Sequence, residues 1–451
     1  MNQANGEWQR CRIGDSLRLV NGRAFKPSEW KKSGLPIVRI QNLNNPDAPF
    51  NYYEGNLPDK FLLDDGDLLF AWSGTPGTSF GAHIWRGGKA WLNQHIFKVH
   101  FDEEQFDKRY LQLAINRNLE EYIGAAHGGA GLAHITKGRF EDSFLPCPPL
   151  DEQQCIVAEI EKQFTRLDAG LASLKRVQTA LKHYRASVLK AACEGRLVPT
   201  EAELARKENR KYETGEQLLQ RILKERREKW NGKDKYKEPA APDLGQLPSL
   251  PEDWTWATAE QLSDASRAIT YGVIKLGGQV DDGILVLRSS DVRHLRLDLE
   301  GVKRISPSIA GAFKRTFLQG NEVLVTVRGT LGGVVAVPAN CEGFNISREV
   351  AMIALVESRL AKFVAVMIGS SPIQLWLLRR SKGIAYTGIN IETLKQLPIP
   401  LPPLAEQERI VAEVERRLSV IDEAKAVVTA NLQRSARLQQ VILTSAFSGQ
   451  L

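Results

Sequence analysis

The stretch PPLDEQQCIVAEIEK, opening at Pro148, returns nearly intact as PPLAEQERIVAEVER, opening at Pro402. Setting Pro149 on Pro403 gives an offset of 254 residues that holds without a gap from Pro146/Pro400 to Leu197/Leu451. Matched pairs along it include Glu152/Glu406, Gln153/Gln407, Ile156/Ile410, Asp168/Asp422 and Gly195/Gly449. Self-similarity at a fixed period is the mark of a repeated architecture, so the 451 residues are expected to fold as two related halves.

Each copy carries the pattern of one long helix. In the first, Ile156, Ile160, Phe164, Leu167, Leu171, Leu174, Leu181, Tyr184 and Val188 recur at helical spacings, which predicts a single apolar stripe. Ile410, Val414, Leu418, Ile421, Val428, Leu432 and Val441 do the same in the second. The prolines ahead of each copy block backward continuation, and Gly195 and Gly449 supply the stop. Roughly 40 residues at about 1.5 Å each make a rod on the order of 60 Å long. So narrow a stripe on so long a rod needs a partner, and its own copy is the obvious one.

Ahead of the helices the halves correspond more faintly. LPIVRIQNL (Leu35 to Leu43) matches ILVLRSSDV (Ile284 to Val292), setting Arg39 opposite Arg288. GDLLFAWSGTPG from Gly66 is echoed by NEVLVTVRGTLGG from Asn321, and NQHIFKV from Asn93 by SREVAMI from Ser347. Short β-rich runs bounded by glycine and aspartate dominate, with helical patterns at Arg109 to Tyr122 and Leu360 to Leu378. Each half is then a mixed α/β globule followed by a long helix. The helices match closely and the globules diverge, so the halves share a frame and differ in their contact surfaces.

Between the halves, residues 201–238 hold 12 basic and 9 acidic side chains, and prolines 239, 242, 248 and 251 follow. Thr214 is an N-cap candidate for a helix reaching Trp230, and the segment as a whole is expected to be a crossover tether. The net charge of +7 is spread thinly: residues 1–145 hold 17 basic and 17 acidic groups. A polyanion-binding face would therefore have to arise by sorting charges in space. The five cysteines are scattered and never in a C-x-x-C pair, which predicts reduced packing residues rather than a disulfide framework or a zinc site. No phosphate-binding G-x-x-x-x-G-K-[ST] loop, H-E-x-x-H or amino-methyltransferase motif occurs, and HGGAGLAHITKG (His127 to Gly138) lacks the spacing of a nucleotide nest. The start carries no apolar secretory core, so a cytoplasmic protein is expected.

The order globule, P-P-L-x-E-Q helix, charged linker, second globule, second P-P-L-x-E-Q helix closing in AFSGQL resembles the specificity subunits of Type I DNA restriction–modification systems. The likeness spans essentially the whole chain, and Trp8 and Trp254 resemble the family's domain openings. It implies an α+β fold with a pseudo-twofold internal repeat: two target recognition domains separated by two long helices that form an antiparallel coiled-coil spacer. The implied boundaries are a first domain at 1–147, a helix at 148–197, a linker at 198–250, a second domain at 251–401 and a second helix at 402–451. Each domain would read one half of a split, asymmetric DNA site. Partners implied are double-stranded DNA, two methyltransferase subunits and motor–nuclease subunits. Catalysis would lie with those subunits, adenine N6 methylation using S-adenosylmethionine and cleavage using ATP and Mg, leaving no cofactor, metal or catalytic residue to this chain. Alternatives are the specificity subunit of a fused nuclease–methyltransferase (Type IIB-like) system and a coiled-coil scaffold with no DNA role.

Side-chain chemistry suggests DNA contacts, since Arg and Lys suit guanine and phosphate, and Asn and Gln suit adenine. In the first half these are Lys31, Lys32, Arg39, Asn42, Ser73, Gln94 and Lys137; in the second, Arg288, Arg293, Arg328, Arg348, Lys382 and Tyr386. Arg39 and Arg288 have an equally good explanation as buried arginines paired to carboxylates. The shared helix openings, Glu152, Gln153, Glu406 and Gln407, are expected to dock the methyltransferases, because a homodimeric partner requires the same patch twice.

Overall fold

The β-rich runs become two copies of one sheet plan. Leu68–Ala71 and Val323–Thr326, buried along their whole length, are interior strands of four-stranded antiparallel sheets. In the first sheet the spatial order is Arg18–Asn21, Ile96–His100, Leu68–Ala71, Gly81–Ile84. In the second it is Thr270–Tyr271, Val350–Ile353, Val323–Thr326, Val334–Ala336. A second sheet in each half holds one parallel pair, Leu35–Val38 beside Ala90–Leu92 and Ile284–Leu287 beside Asn345–Ile346. The computed structural model describes residues 8–45, 47–74, 78–119, 122, 133–232, 234–380 and 388–448. The chain divides into two compact units, one of residues 1–175 with 429–451 and one of residues 176–428.

Both predicted long helices form, as Leu150–Cys193 and Leu404–Ala446. Gly195, at φ +67°, ends the first; a Cβ there would lie 2.4 Å from Pro251 Cγ, so both conformation and space demand glycine. Gly449 lies outside the described residues. In the second unit Val188, Leu189 and Ala192 share a core with Ile410, Val414, Leu418 and Ile421, and Arg185 pairs with Asp422 at 2.8 Å. In the first unit Ile160 and Phe164 share a core with Leu443, Ala446 and Phe447. Within each unit the pairing is antiparallel. Tyr184 and Val441, assigned to the stripe by spacing alone, are 46% and 54% exposed and stand outside the seam.

Three expectations change. The linker is no free tether: its helix Gly215–Glu228 adds Leu218, Leu219 and Ile222 to the second unit's core, and its helix Glu201–Glu208 buries Ala202 and Ala205. Thr214 caps the latter as predicted, accepting from the Gln217 N–H at 3.2 Å. Cys11 and Cys147, at the strand couple Arg10–Arg12 and Phe144–Pro146, are joined as a disulfide with Cα atoms 6.0 Å apart. Cys155, Cys193 and Cys341 are free thiols. The helical pattern from Leu360 breaks at Ser370 into Ala361–Gly369 and Ser371–Arg380, bent by 70°. Among the described residues no single helix is long and apolar enough to cross a membrane.

Candidate nucleic-acid interface

The repeated motif makes a clasp in each unit. The Trp254 indole donates to Glu406 Oε1 at 3.0 Å, and Trp8 donates to Glu152 Oε1 at the same distance. The next residue folds back on the proline pair, Gln153 Nε2 donating to Pro148 O at 2.9 Å and Gln407 Nε2 to Pro402 O at 2.8 Å. Gln153 further accepts the N–H of Asp107, the N-cap of Lys108–Arg117, and donates to Gln105 O. Glu406 also accepts the Glu201 N–H at 2.8 Å. Burial pushes its carboxyl above the usual range.

This corrects the docking expectation. Gln153, Glu406 and Gln407 are at most 2% exposed, and Glu152 is half-buried beneath Trp8. The shared spacing of the repeat lets each helix grip the opening tryptophan of its own domain. With their side chains committed to these bonds, Gln153, Glu406 and Gln407 have no exposed surface to offer a partner. Sequence reasoning finds the tryptophans and the motif separately; nothing local joins residues separated by 144 and 152 positions.

Three of the proposed contact positions fall at equivalent places in the two sheet plans. Arg39 and Arg288 follow the strands Leu35–Val38 and Ile284–Leu287, Ser73 and Arg328 follow the interior strands, and Gln94 and Arg348 precede Ile96–His100 and Val350–Ile353. In the first unit Gln94 Nε2 lies 3.0 Å from His95 Nε2, and His95 packs on Trp72 with ring centroids 5.1 Å apart. Trp72 also meets His134 at 4.7 Å, and Ser73 pairs with His134 between strands. The Arg39 guanidinium carbon lies 5.1 Å from the Trp30 ring centroid. Burial, helped by His134 and Arg39, lowers the His95 pKa and so favours the neutral ring.

The second unit fills the same positions with charge. Arg328 lies over Tyr271, 5.5 Å from its centroid, and Ser289 Oγ donates to Glu349 Oε2 at 2.9 Å. Arg348 is exposed and anchored by its backbone N–H to Val273 O. Arg288 is clamped by Asp291, which takes Nε and Nη2 at 3.0 Å each and raises the arginine pKa. The carboxylate pairing thus holds for Arg288. Arg39 has no such partner among the described residues.

Other expected contacts scatter or serve the fold. Asn42 is 5% exposed and spends both ends of its amide locally, Oδ1 accepting the Arg39 N–H at 3.1 Å and Nδ2 donating to Ala48 O at 3.2 Å, so it is a turn residue. Lys137 Nζ donates to Leu19 O at 3.2 Å and pairs with Glu141, away from the Arg39 cluster. Lys31 and Lys32 are exposed, the former bridged through its backbone to Tyr52. Arg293, itself exposed, sits on the hairpin of Val292–Arg293 and Arg296–Leu297, 3.9 Å from Asp298. Lys382 and Tyr386 lie outside the described residues, as do His127, Gly128, Gly129 and Gly131. Among the described residues no group of three or more His, Cys, Asp or Glu side chains is placed to hold a metal ion.

Residues 5–178 and 280–425 match the model of the Type I restriction modification DNA specificity domain. The chain is 30% identical to the Type I restriction enzyme EcoBI specificity subunit of Escherichia coli, over 98% of this chain and 86% of that one. It is 24% identical to the EcoKI specificity subunit of Escherichia coli K12, over 98% and 89%. Two solved structures share its fold along the full length. One is a chain from work on complex assembly and conformational transition of the type I R-M system, with TM-score 0.64, 19% identity and 100% of both chains covered. The other is the HsdS subunit from Thermoanaerobacter tengcongensis, with TM-score 0.51, 18% identity and coverage of 100% and 99%. With the duplicated sheets, the paired helices and the two Trp–Glu clasps, these matches establish that the chain belongs to the Type I restriction–modification DNA specificity family.

Proposed function

We propose that this chain is the sequence-reading subunit of a Type I restriction–modification complex in the cytoplasm, each globule reading one half of a bipartite, asymmetric site in double-stranded DNA. The observation that carries the reading is the contrast between a matched frame and unmatched surfaces. The two clasps agree to a tenth of an ångström, whereas Ser73 corresponds to Arg328 and Gln94 to Arg348 at equivalent strand ends. A twofold frame suits a symmetric pair of methyltransferase subunits, and divergent faces suit two different half-sites. In this reading the long helices fix the gap between halves, and adenine N6 methylation, S-adenosylmethionine, ATP, Mg and cleavage belong to the methyltransferase and motor–nuclease partners. This chain supplies binding and register, with no reacting group of its own.

The test is single-molecule methylation mapping in cells expressing the chain with its neighbouring methyltransferase, against cells lacking only this chain. A bipartite methyladenine motif that depends on the chain is the expected result. Identical methylomes despite a confirmed complex would overturn it. Inserting four residues after Ala172 should change the gap or abolish methylation while leaving both half-sites intact. Unchanged spacing at full activity would remove the helices from the role of ruler.

A further inference from the structure

We propose that the first globule holds a pocket for the acceptor edge of one guanine, built around Arg39, and that residue 42 determines whether this arginine is free to read it. The inference rests on the DNA-reading function above and names a determinant within it. A cavity of about 170 Å³ is lined by Phe25, Trp30, Arg39, Gln41, Gln94 and His95, with Ile40 and Asn93 completing the wall. Its chemistry is rich in donors. The wall carries the Arg39 guanidinium and the side-chain amides of Gln41, Asn93 and Gln94, and in it Trp30 Nε1 and His95 Nδ1 are buried without a hydrogen-bond partner.

What frees Arg39 is a single atom type in its own turn. Arg39 and Arg288 open equivalent turns, Arg-Ile-Gln-Asn and Arg-Ser-Ser-Asp, and in each the fourth side chain accepts the arginine backbone N–H. Asp291 has a second acceptor and uses it: Oδ2 takes Arg288 N and Nε, and Oδ1 takes Nη2. Asn42 has an amide nitrogen in place of the second oxygen, committed to Ala48 O, so the turn lacks the acceptor that takes Nη2 in the other half, and among the described residues Oδ1 bonds the Arg39 backbone and not its side chain. The guanidinium instead lies against the Trp30 ring, at the wall of the cavity. A planar fork with two free donors matches two acceptors on one edge, which guanine presents as O6 and N7. A backbone phosphate presents acceptors as well, without sequence information.

The experiment uses the complete methyltransferase complex carrying Asn42→Asp, and in parallel Arg39→Ala, whose half-exposed side chain can be truncated without opening the core. Expected in both is degeneracy at one guanine of one half-site, with the other half unchanged as the internal control for folding and assembly. Affinity for the cognate duplex should fall roughly 5- to 150-fold. A duplex with 7-deazaguanine at that position should weaken the wild-type complex and leave Arg39→Ala indifferent. If both variants keep both half-sites, the pocket is overturned. A uniform loss on cognate and unrelated DNA, with a shallower salt dependence, would assign Arg39 to phosphate and overturn guanine reading. Absence of any bipartite motif with the wild-type chain would overturn the underlying function and the pocket with it.

Discussion

The strand ends of the first globule carry Trp72, Ser73, Gln94 and His95, and those of the second carry Arg328, Arg348 and Glu349 on the same topology. One surface is aromatic, with Arg39 free of carboxylate partners among the described residues; the other brings arginines and carboxylates together. The backbone hydrogen bonds beneath them are the same: Arg23 N–H donates to Leu92 O at 3.0 Å, and Val273 N–H to Ile346 O at 2.7 Å. The difference teaches that the two halves have been held to one frame and released in chemistry where the strands end. Loop positions supported by a rigid sheet can change without disturbing the core.

The comparison breaks most visibly at the clasps. Trp254→Ala should cost about 3–5 kcal/mol, because a buried indole is lost and Glu406 loses a donor. Trp8→Ala should cost less, since both Trp8 and Glu152 are half-buried. Urea denaturation of the two variants ranks them, and equal losses would show that the clasps are energetically alike. A sharper cut is Asp291→Asn, which gives the second turn the chemistry of the first. It should release Arg288 and change base preference in one half-site by about tenfold, on the order of 1.4 kcal/mol, read by methylation mapping.

Two carboxylates of the second helix are expected to respond oppositely to pH. Glu406 is raised by burial, so the folded state holds its proton more tightly and stability declines as pH rises through the range above the unfolded carboxyl value. Glu406→Gln should flatten that decline in a series of denaturation curves. Glu413 is lowered to about 2 by hydrogen bonds from Arg416 and Arg417. Its contribution is present above the unfolded value of about 4.3 and is lost as pH falls toward 2. The partly exposed i,i+3 and i,i+4 geometry on the helix surface limits Glu413→Gln to below about 1 kcal/mol. A larger acid-range effect would mean that this pair is coupled to the seam.

The repeat, both long helices, the matching strand runs and the opposition of Arg39 to Arg288 are legible in the chain because each is written in local spacing. What escapes is written in distance. The clasp residues read as a surface motif because an acid and an amide at a helix opening ordinarily face water. Their burial depends on tryptophans more than a hundred residues upstream. Cys11 and Cys147 read as solitary because 136 residues separate them, although strand pairing brings them together. Asn42 reads as a base contact because its chemistry suits adenine; only the turn around it shows both ends of the amide already used. The linker's apolar residues are few enough to suggest a tether, yet Leu218 and Ile222 are fully buried.

That last feature bears on how such a chain could be recombined. Gly215 fits so closely that a Cβ there would meet Leu401 O at 2.2 Å, and the buried Arg226 donates from Nε to Ser263 O at 2.9 Å. A foreign second reader grafted at Pro251 would leave these residues facing a surface they were never fitted to. A crossover placed before Thr200 carries the sub-core along as one heritable block. The block that completes the second globule's core therefore opens some fifty residues before the point where that globule begins in sequence.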